Sequence, residues 1–148
     1  MRAIIQRVRN AEVTVHGDTT GAIDQGLLVF LGVGDGDDDE DLEYLVDKII
    51  HLRIFADDDG KMNRSLIDVE GQMLVVSQFT LYADTSRGRR PSFGDAMAPG
   101  PAEEMYETFV KRVEDAGIHV DTGVFGKMMD VQLLNDGPVT IFIDSTER

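Results

Sequence analysis

Residues Gly26–Val33 read GLLVFLGV and residues Gln72–Leu81 read QMLVVSQFTL. Each is an apolar run of strand length, so each predicts a central strand covered on both faces. Such a sheet needs helices or a second layer over it. Two helices are legible nearby. The acidic run Asp35–Asp41 can cap and start the first, because the helix dipole favours acids at the N-terminus. Leu42, Leu45, Val46, Ile49 and Ile50 then follow the i, i+3, i+4, i+7, i+8 pattern. In the second, Pro101 fits N1 and Glu103 and Glu104 fall in the first turn. Ala102, Met105, Tyr106, Phe109, Val110, Val113 and Ala116 form the apolar stripe, and Gly117 fits C′.

Further strands are expected at Arg2–Val8, Glu12–Val15, Arg53–Ala56, His119–Val124, Asp130–Leu134 and Val139–Asp144. Gly17–Gly21 carries the residues of a hairpin turn, and Asp57–Gly60 those of a second turn. The strands are mostly sequential and the helices few, so strict βαβ alternation does not fit. The reading is one domain over residues 1–148: an α+β protein with a curled, barrel-like, mostly antiparallel β-sheet and two principal helices. Between the second apolar run and the second helix, Ala83–Pro99 forms a loop long enough to be a candidate functional loop.

Composition narrows the function. Cysteine is absent, which removes disulfides, thiolate nucleophiles and thiolate metal sites. Acids outnumber bases 28 to 14, for a net charge of −14. That balance argues against a sequence-blind nucleic-acid binder, and no DNA partner is expected. A local basic patch for one RNA end stays open. Lysine stands only at Lys48, Lys61, Lys111 and Lys127, and such an acidic, Lys-poor surface fits a salt-rich cytosol. No apolar run approaches a bilayer span and no signal-peptide core is visible, so a cytoplasmic protein away from membranes is expected.

Several tempting motifs fail on detail. Gly32-Val33-Gly34-Asp35-Gly36 imitates a dinucleotide turn, but Asp37 stands where the third glycine belongs and the acids would repel a pyrophosphate. It reads as a helix-entry turn. A calcium loop starting at Asp35 would put Glu40 at the glycine position and Val46 at the bidentate position. Gly60 likewise comes too early after Asp57–Asp59. His16, His51 and His119 are scattered without ligand spacing, so no metal site is expected. Neither a GxSxG elbow nor an SxxK motif is present.

Two segments resist a purely structural reading. Ser77-Gln78-Phe79-Thr80 interrupts an apolar strand with polar groups that need partners or a function. On a strand, Ser77, Phe79 and Leu81 would share one face and Gln78, Thr80 and Tyr82 the other. Asn135-Asp136-Gly137-Pro138-Val139-Thr140 sets a Gly-Pro bond between two strands, either as a plain hairpin turn or as a cis-proline feature.

Taken together, these segments resemble the D-aminoacyl-tRNA deacylase family, whose two signatures are Ser-Gln-Phe-Thr and Asn-x-Gly-Pro-Val-Thr. Both stand unbroken here, at Ser77–Thr80 and Asn135–Thr140. Gln6-Arg7-Val8, Lys61-Met62-Asn63, Arg90-Pro91-Ser92-Phe93 and Thr122-Gly123-Val124-Phe125 support them, and the resemblance runs from about residue 1 to 144. It implies hydrolysis of the ester between a D-amino acid and the 3′-terminal adenosine of tRNA. It also implies a homodimer with the site at the subunit interface, without metal or organic cofactor. Gly137-Pro138, cis, would reach into the partner's pocket and exclude L-amino acids, with Arg7 and Asn135 in the same substrate-selecting group. Phe125 would stack on the terminal adenine.

Ester hydrolysis needs a held oxyanion and an activated attacking group. Phe79 N–H and the Gln78 side chain are the oxyanion candidates, with Ser77 and Thr80 beside them. Thr80 has the chemistry of a nucleophile, but nothing in the sequence supplies its base. The resemblance offers the substrate's own 2′-hydroxyl instead, and both routes stay open. Arg87, Arg89 and Arg90 in the long loop, and Lys127 beside Phe125, are candidate tRNA contacts, with Arg2, Arg7 and Arg9 available to join them. A backbone wedge cannot reject glycine, so some activity on glycyl-tRNA is expected. The rival reading from another class is a non-catalytic dimeric module for RNA ends or nucleotides.

Overall fold

The computed structural model describes residues Met1–Arg148. In chain order its elements are β1 (Arg2–Val15), β2 (Asp18–Ile23), β3 (Gly26–Gly32), α1 (Asp39–Ile50), β4 (Phe55–Ala56), β5 (Met62–Arg64), β6 (Gln72–Ser77), α2 (Pro99–Asp115), β7 (Val120–Thr122) and β8 (Asp130–Asp144). Short 3-10 turns at Phe79–Tyr82 and Ser145–Glu147 complete it.

The two segments expected as Arg2–Val8 and Glu12–Val15 are one strand. β1 is the spine of the sheet. β8 pairs with it antiparallel along one side, while β3 and then β2 pair along the other. The β1–β2 turn is tighter than Gly17–Gly21 implied. His16 and Gly17 alone make it, with φ of +50° and +83°, the left-handed pair that matches the twist of a two-residue hairpin.

β3 and β6 run parallel, as do β6 and β7. Parallel neighbours need a crossover, and the helices supply it: α1 lies between β3 and β6 in the chain, and α2 between β6 and β7. The sheet is therefore mixed, with antiparallel pairing around β1 and parallel pairing beyond β3. Its far strand curls back: Asp121 of β7 accepts the Ala22 N–H of β2 at 2.8 Å, nearly closing a barrel.

The doubly covered strands are found as expected. Leu27, Val29, Leu31, Met73 and Val75 face the helices with Leu45, Ile49, Phe109 and Val113. Leu28, Leu74 and Val76 face the other way, into a smaller cluster with Val8, Val13 and Ile23. Asp38 caps α1 by accepting from Glu40 and Asp41 N–H, and the Asp41 carboxylate returns to Asp38 N–H, a reciprocal cap. α2 starts two residues before the expected Pro101, with Pro99 at N1. Proline is tolerated throughout that first turn because those amides have no intrahelical acceptor. Glu103 and Glu104 consequently lie beyond the first turn. No helix is long and apolar enough to cross a membrane.

Two corrections bear on function. The strand expected at Gln72–Leu81 stops at Ser77, so Ser77–Thr80 does not alternate across a strand. The strands expected at Asp130–Leu134 and Val139–Asp144 are not a hairpin: both pair with β1 as one strand, β8. Between Val8↔Asn135 and Gln6↔Thr140, β1 has only Arg7 where β8 has Asp136–Val139. The extra residues are pushed out as a bulge.

Candidate active site

The β3–β6 ladder ends with Gln78 N–H donating to Leu31 O at 2.8 Å. The chain then tightens into the Phe79–Tyr82 turn, closed by Leu81 N–H to Gln78 O at 3.2 Å and Ala83 N–H to Thr80 O at 3.1 Å. The opening amides of such a turn have no carbonyl to bond, and Phe79 and Thr80 N–H accordingly make no intramolecular hydrogen bond. Gln78 Nε2 donates to Thr80 Oγ1. Ser77 and Gln78 are half-buried, while Phe79 and Thr80 are exposed.

The turn rests on glycine. A Cβ on Gly34 would lie 2.5 Å from Tyr82 Cε1, and one on Gly32 would lie 3.0 Å from Gln78 O. The Gly32-Val33-Gly34 signal, read as a helix-entry turn, is also the flat bed on which this turn packs. Tyr82 donates to Asp37 at 3.2 Å. Burial, then the Asp37 charge, push its phenol well above the ordinary value, so it stays a donor. Gly32, Gly34 and Tyr82 were missed in the sequence. A second glycine just past a strand, where only Gly36 has a positive φ (+87°), was the available signal.

Around the turn the long loop folds back on itself. Asp84 and Ser92 exchange both main-chain hydrogen bonds, at 2.8 and 3.0 Å, and Phe93 meets Phe79 edge-on at 4.9 Å. Arg87, Arg89 and Arg90 sit in the enclosed segment, exposed and without ion pairs. On the other flank, Gly123 N–H reaches Val75 O at 3.2 Å and carries the chain past the end of β6 to Phe125 and Lys127. Phe125 packs on Tyr106 at 5.9 Å and walls an open groove of about 410 Å³ with Val110, Val124, Glu103 and Glu107. Lys127 is exposed.

The Gly137-Pro138 bond is cis, in the β8 bulge, and both residues are exposed. Two side chains hold the bulge. Asn135 brackets it, accepting Val139 N–H at 2.8 Å and donating to Val139 O at 3.1 Å. Arg7 donates to Asp136 O at 2.8 Å and to Ile54 O. Arg9 approaches the Asp136 carboxylate at 3.6 Å. Arg2 is bound to Asp144 at 2.8 Å. Arg2 and Arg7 are thus tied within the chain, whereas most of the Arg9 side chain stays exposed.

One chain does not bring the two motifs together. Ser77 pairs with Leu31, and Leu31 with Ala3, whereas the bulge lies opposite Arg7. The motifs stand four residues apart along β1 and three strands apart across the sheet, roughly 20 Å by strand geometry. No group of three or more His, Asp or Glu side chains converges in a way that would hold a metal ion.

Unpartnered amides at the head of a rigid turn can hold a developing oxyanion, so the class these features define is a small α+β domain equipped to handle acyl esters. The model of the D-Tyr-tRNA(Tyr) deacylase family matches residues 4–144. D-aminoacyl-tRNA deacylases from Halothermothrix orenii and Thermus aquaticus are each 57% identical over 148 residues, all of this chain, and cover 99% and 97% of those relatives. The solved structure of a c-Myc DNA Unwinding Element Binding Protein is 39% identical, with a TM-score of 0.92 over 97% of this chain and 98% of that one. A probable eukaryotic D-amino acid tRNA deacylase, 21% identical with a TM-score of 0.82 over 96% and 97% of the two chains, shares the fold. The chain belongs to the D-Tyr-tRNA(Tyr) deacylase family.

Proposed function

We propose that this chain is a D-aminoacyl-tRNA deacylase that works as a homodimer, in which the Ser77–Thr80 turn of one copy and the Gly137-Pro138 bulge of the other complete one site. The deacylase activity rests on the family match and on relatives of the same length. The shared site rests on one observation: the two motifs sit three strands apart across the same sheet in one chain. A two-fold axis through the face between them would bring each bulge to the other copy's turn. That face carries Phe142, Ile4 and Phe30 side by side on β8, β1 and β3, and Phe142 is 55% exposed. An apolar row of this kind is stabilised by a covering partner.

In this reading the ester carbonyl of the substrate sits at the Phe79 amide with Gln78 alongside. Attack on the carbonyl carbon moves charge onto oxygen, where the preformed donors hold it. Collapse of the intermediate frees the D-amino acid and leaves the tRNA 3′-end as alcohol. Thr80 Oγ1 has an amide as its hydrogen-bond partner, and an amide N–H cannot take a proton. This favours attack by water assisted by the substrate's 2′-hydroxyl over a threonyl ester. The bulge of the second copy sets main chain against one substituent of the α-carbon and so rejects the L-ester whatever its side chain. Phe125 and its groove take the terminal adenine. Arg87, Arg89, Arg90 and Lys127 meet the acceptor-end phosphates, while the acidic remainder faces away.

The test is release of free amino acid from D-Tyr-tRNA against L-Tyr-tRNA and Gly-tRNA. Rapid release of D-Tyr, slow release of glycine and retention of L-Tyr are expected. Binding without turnover would instead mark an RNA-end module, and turnover without chiral preference a different esterase.

A further inference from the structure

We propose that Arg2 is the positioning residue of the catalytic turn, a clamp that ties Phe79–Tyr82 to β1 and β8. The inference builds on the assignment of that turn as the oxyanion site. Arg2 Nη1 donates to Leu81 O at 3.0 Å, inside the turn itself. Its Nε donates to the Asp144 carboxylate at 2.8 Å. Its guanidinium lies over the Tyr82 ring, 4.5 Å from the centroid. One planar cation therefore holds the turn by a carbonyl and by a ring face, and it is anchored by the last residue of β8. Asp144 is itself 9% exposed and accepts from Thr146 N–H and Oγ1, so the anchor is fixed.

A second arginine further along the same strand makes a comparable tie. Arg7 ties the Gly137-Pro138 bulge to β1 as Arg2 ties the turn. β1 thus carries two clamps five positions apart, and their offset sets the spacing that two copies must match. A misplacement of about 1 Å in the turn's amide donors can cost on the order of 10²-fold in rate. The fork geometry cannot be reproduced by an ammonium, which can serve Asp144 or Leu81 O but not both with the ring face.

The measurement is steady-state deacylation of D-Tyr-tRNA by wild type, Arg2→Met, Arg2→Lys and Asp144→Asn. Dimer mass, Tm and the salt dependence of KM are recorded for each. Arg2→Met should lower kcat by about 30-fold with KM within about twofold and an unchanged salt slope. Arg2→Lys should recover part of kcat. Should Arg2→Met fail to fold, Asp144→Asn carries the test and should lower kcat in the same sense. A folded variant with kcat at the wild-type value overturns the inference. So does a loss confined to KM with a shallower salt slope, which would make Arg2 an RNA contact. Inactive wild-type protein would instead refute the deacylase reading itself.

Discussion

Phe79 contributes two separable things, an exposed ring packed on Phe93 and an amide with no partner. Proline fits the first position of a helical turn because it lacks only the hydrogen that the turn does not use. Phe79→Pro should therefore keep the turn while removing the proposed oxyanion donor, and kcat should fall by about 10²–10³. Phe79→Ala should cost far less, since it retains the N–H. Single-turnover release of D-Tyr separates the two. Gly34 gives a second residue-scale test. A methyl there meets the rigid Tyr82 ring at 2.5 Å, so Gly34→Ala should destabilise by about 1–3 kcal/mol in urea denaturation and lower activity, whereas Gly36→Ala touches nothing and meets only the strain of its positive φ.

At the scale of elements, α1 and the C-terminal turn are joined through Asp41. Burial alone would raise its carboxyl. Hydrogen bonds involving Ser145, Asp38 N–H and Arg148 outweigh that and hold it at about 2. A lowered carboxylate stabilises the fold fully above its unfolded value near 4 and loses that contribution as pH falls toward 2. Asp41→Asn should cost about 1–2 kcal/mol at neutral pH, with the gap to wild type closing below pH 4 in denaturation midpoints. The elements themselves were largely legible, because the apolar runs and stripes obey the periods of strand and helix. Where reading failed, pairing partners decided the outcome. Ser77–Leu81 continues an apolar strand in one dimension, but β3 ends at Gly32 and leaves nothing to pair with. Asn135–Pro138 looks like a hairpin turn until both flanks are seen to share β1. The Ser-Gln-Phe-Thr and Asn-x-Gly-Pro-Val-Thr stretches were visible as candidates, whereas Arg2, legible only as an RNA-contact candidate, and the glycine bed met the turn only once Leu81 and Tyr82 were placed in space.

For the whole molecule, the proposed shared site turns on how far apart one chain holds the two motifs. The turn and the bulge are held apart by three strand spacings across the sheet and four residues along β1, and the apolar row of Ile4, Phe30 and Phe142 lies between them. A charge at Phe142 should leave the fold intact, since the side chain is more than half exposed, and should break the dimer. Phe142→Glu is expected to sediment at the mass of one chain and to lose at least tenfold in deacylation. The most direct test pairs two defective copies in one co-expressed dimer: Phe79→Pro, whose bulge is intact, and Arg7→Ala/Asn135→Ala, whose turn is intact but whose bulge is released. The measurement is the D-Tyr to L-Tyr release ratio of the mixture. Random pairing should restore a wild-type ratio at roughly a quarter of the sites. A ratio equal to that of the two variants measured separately would contradict the shared site.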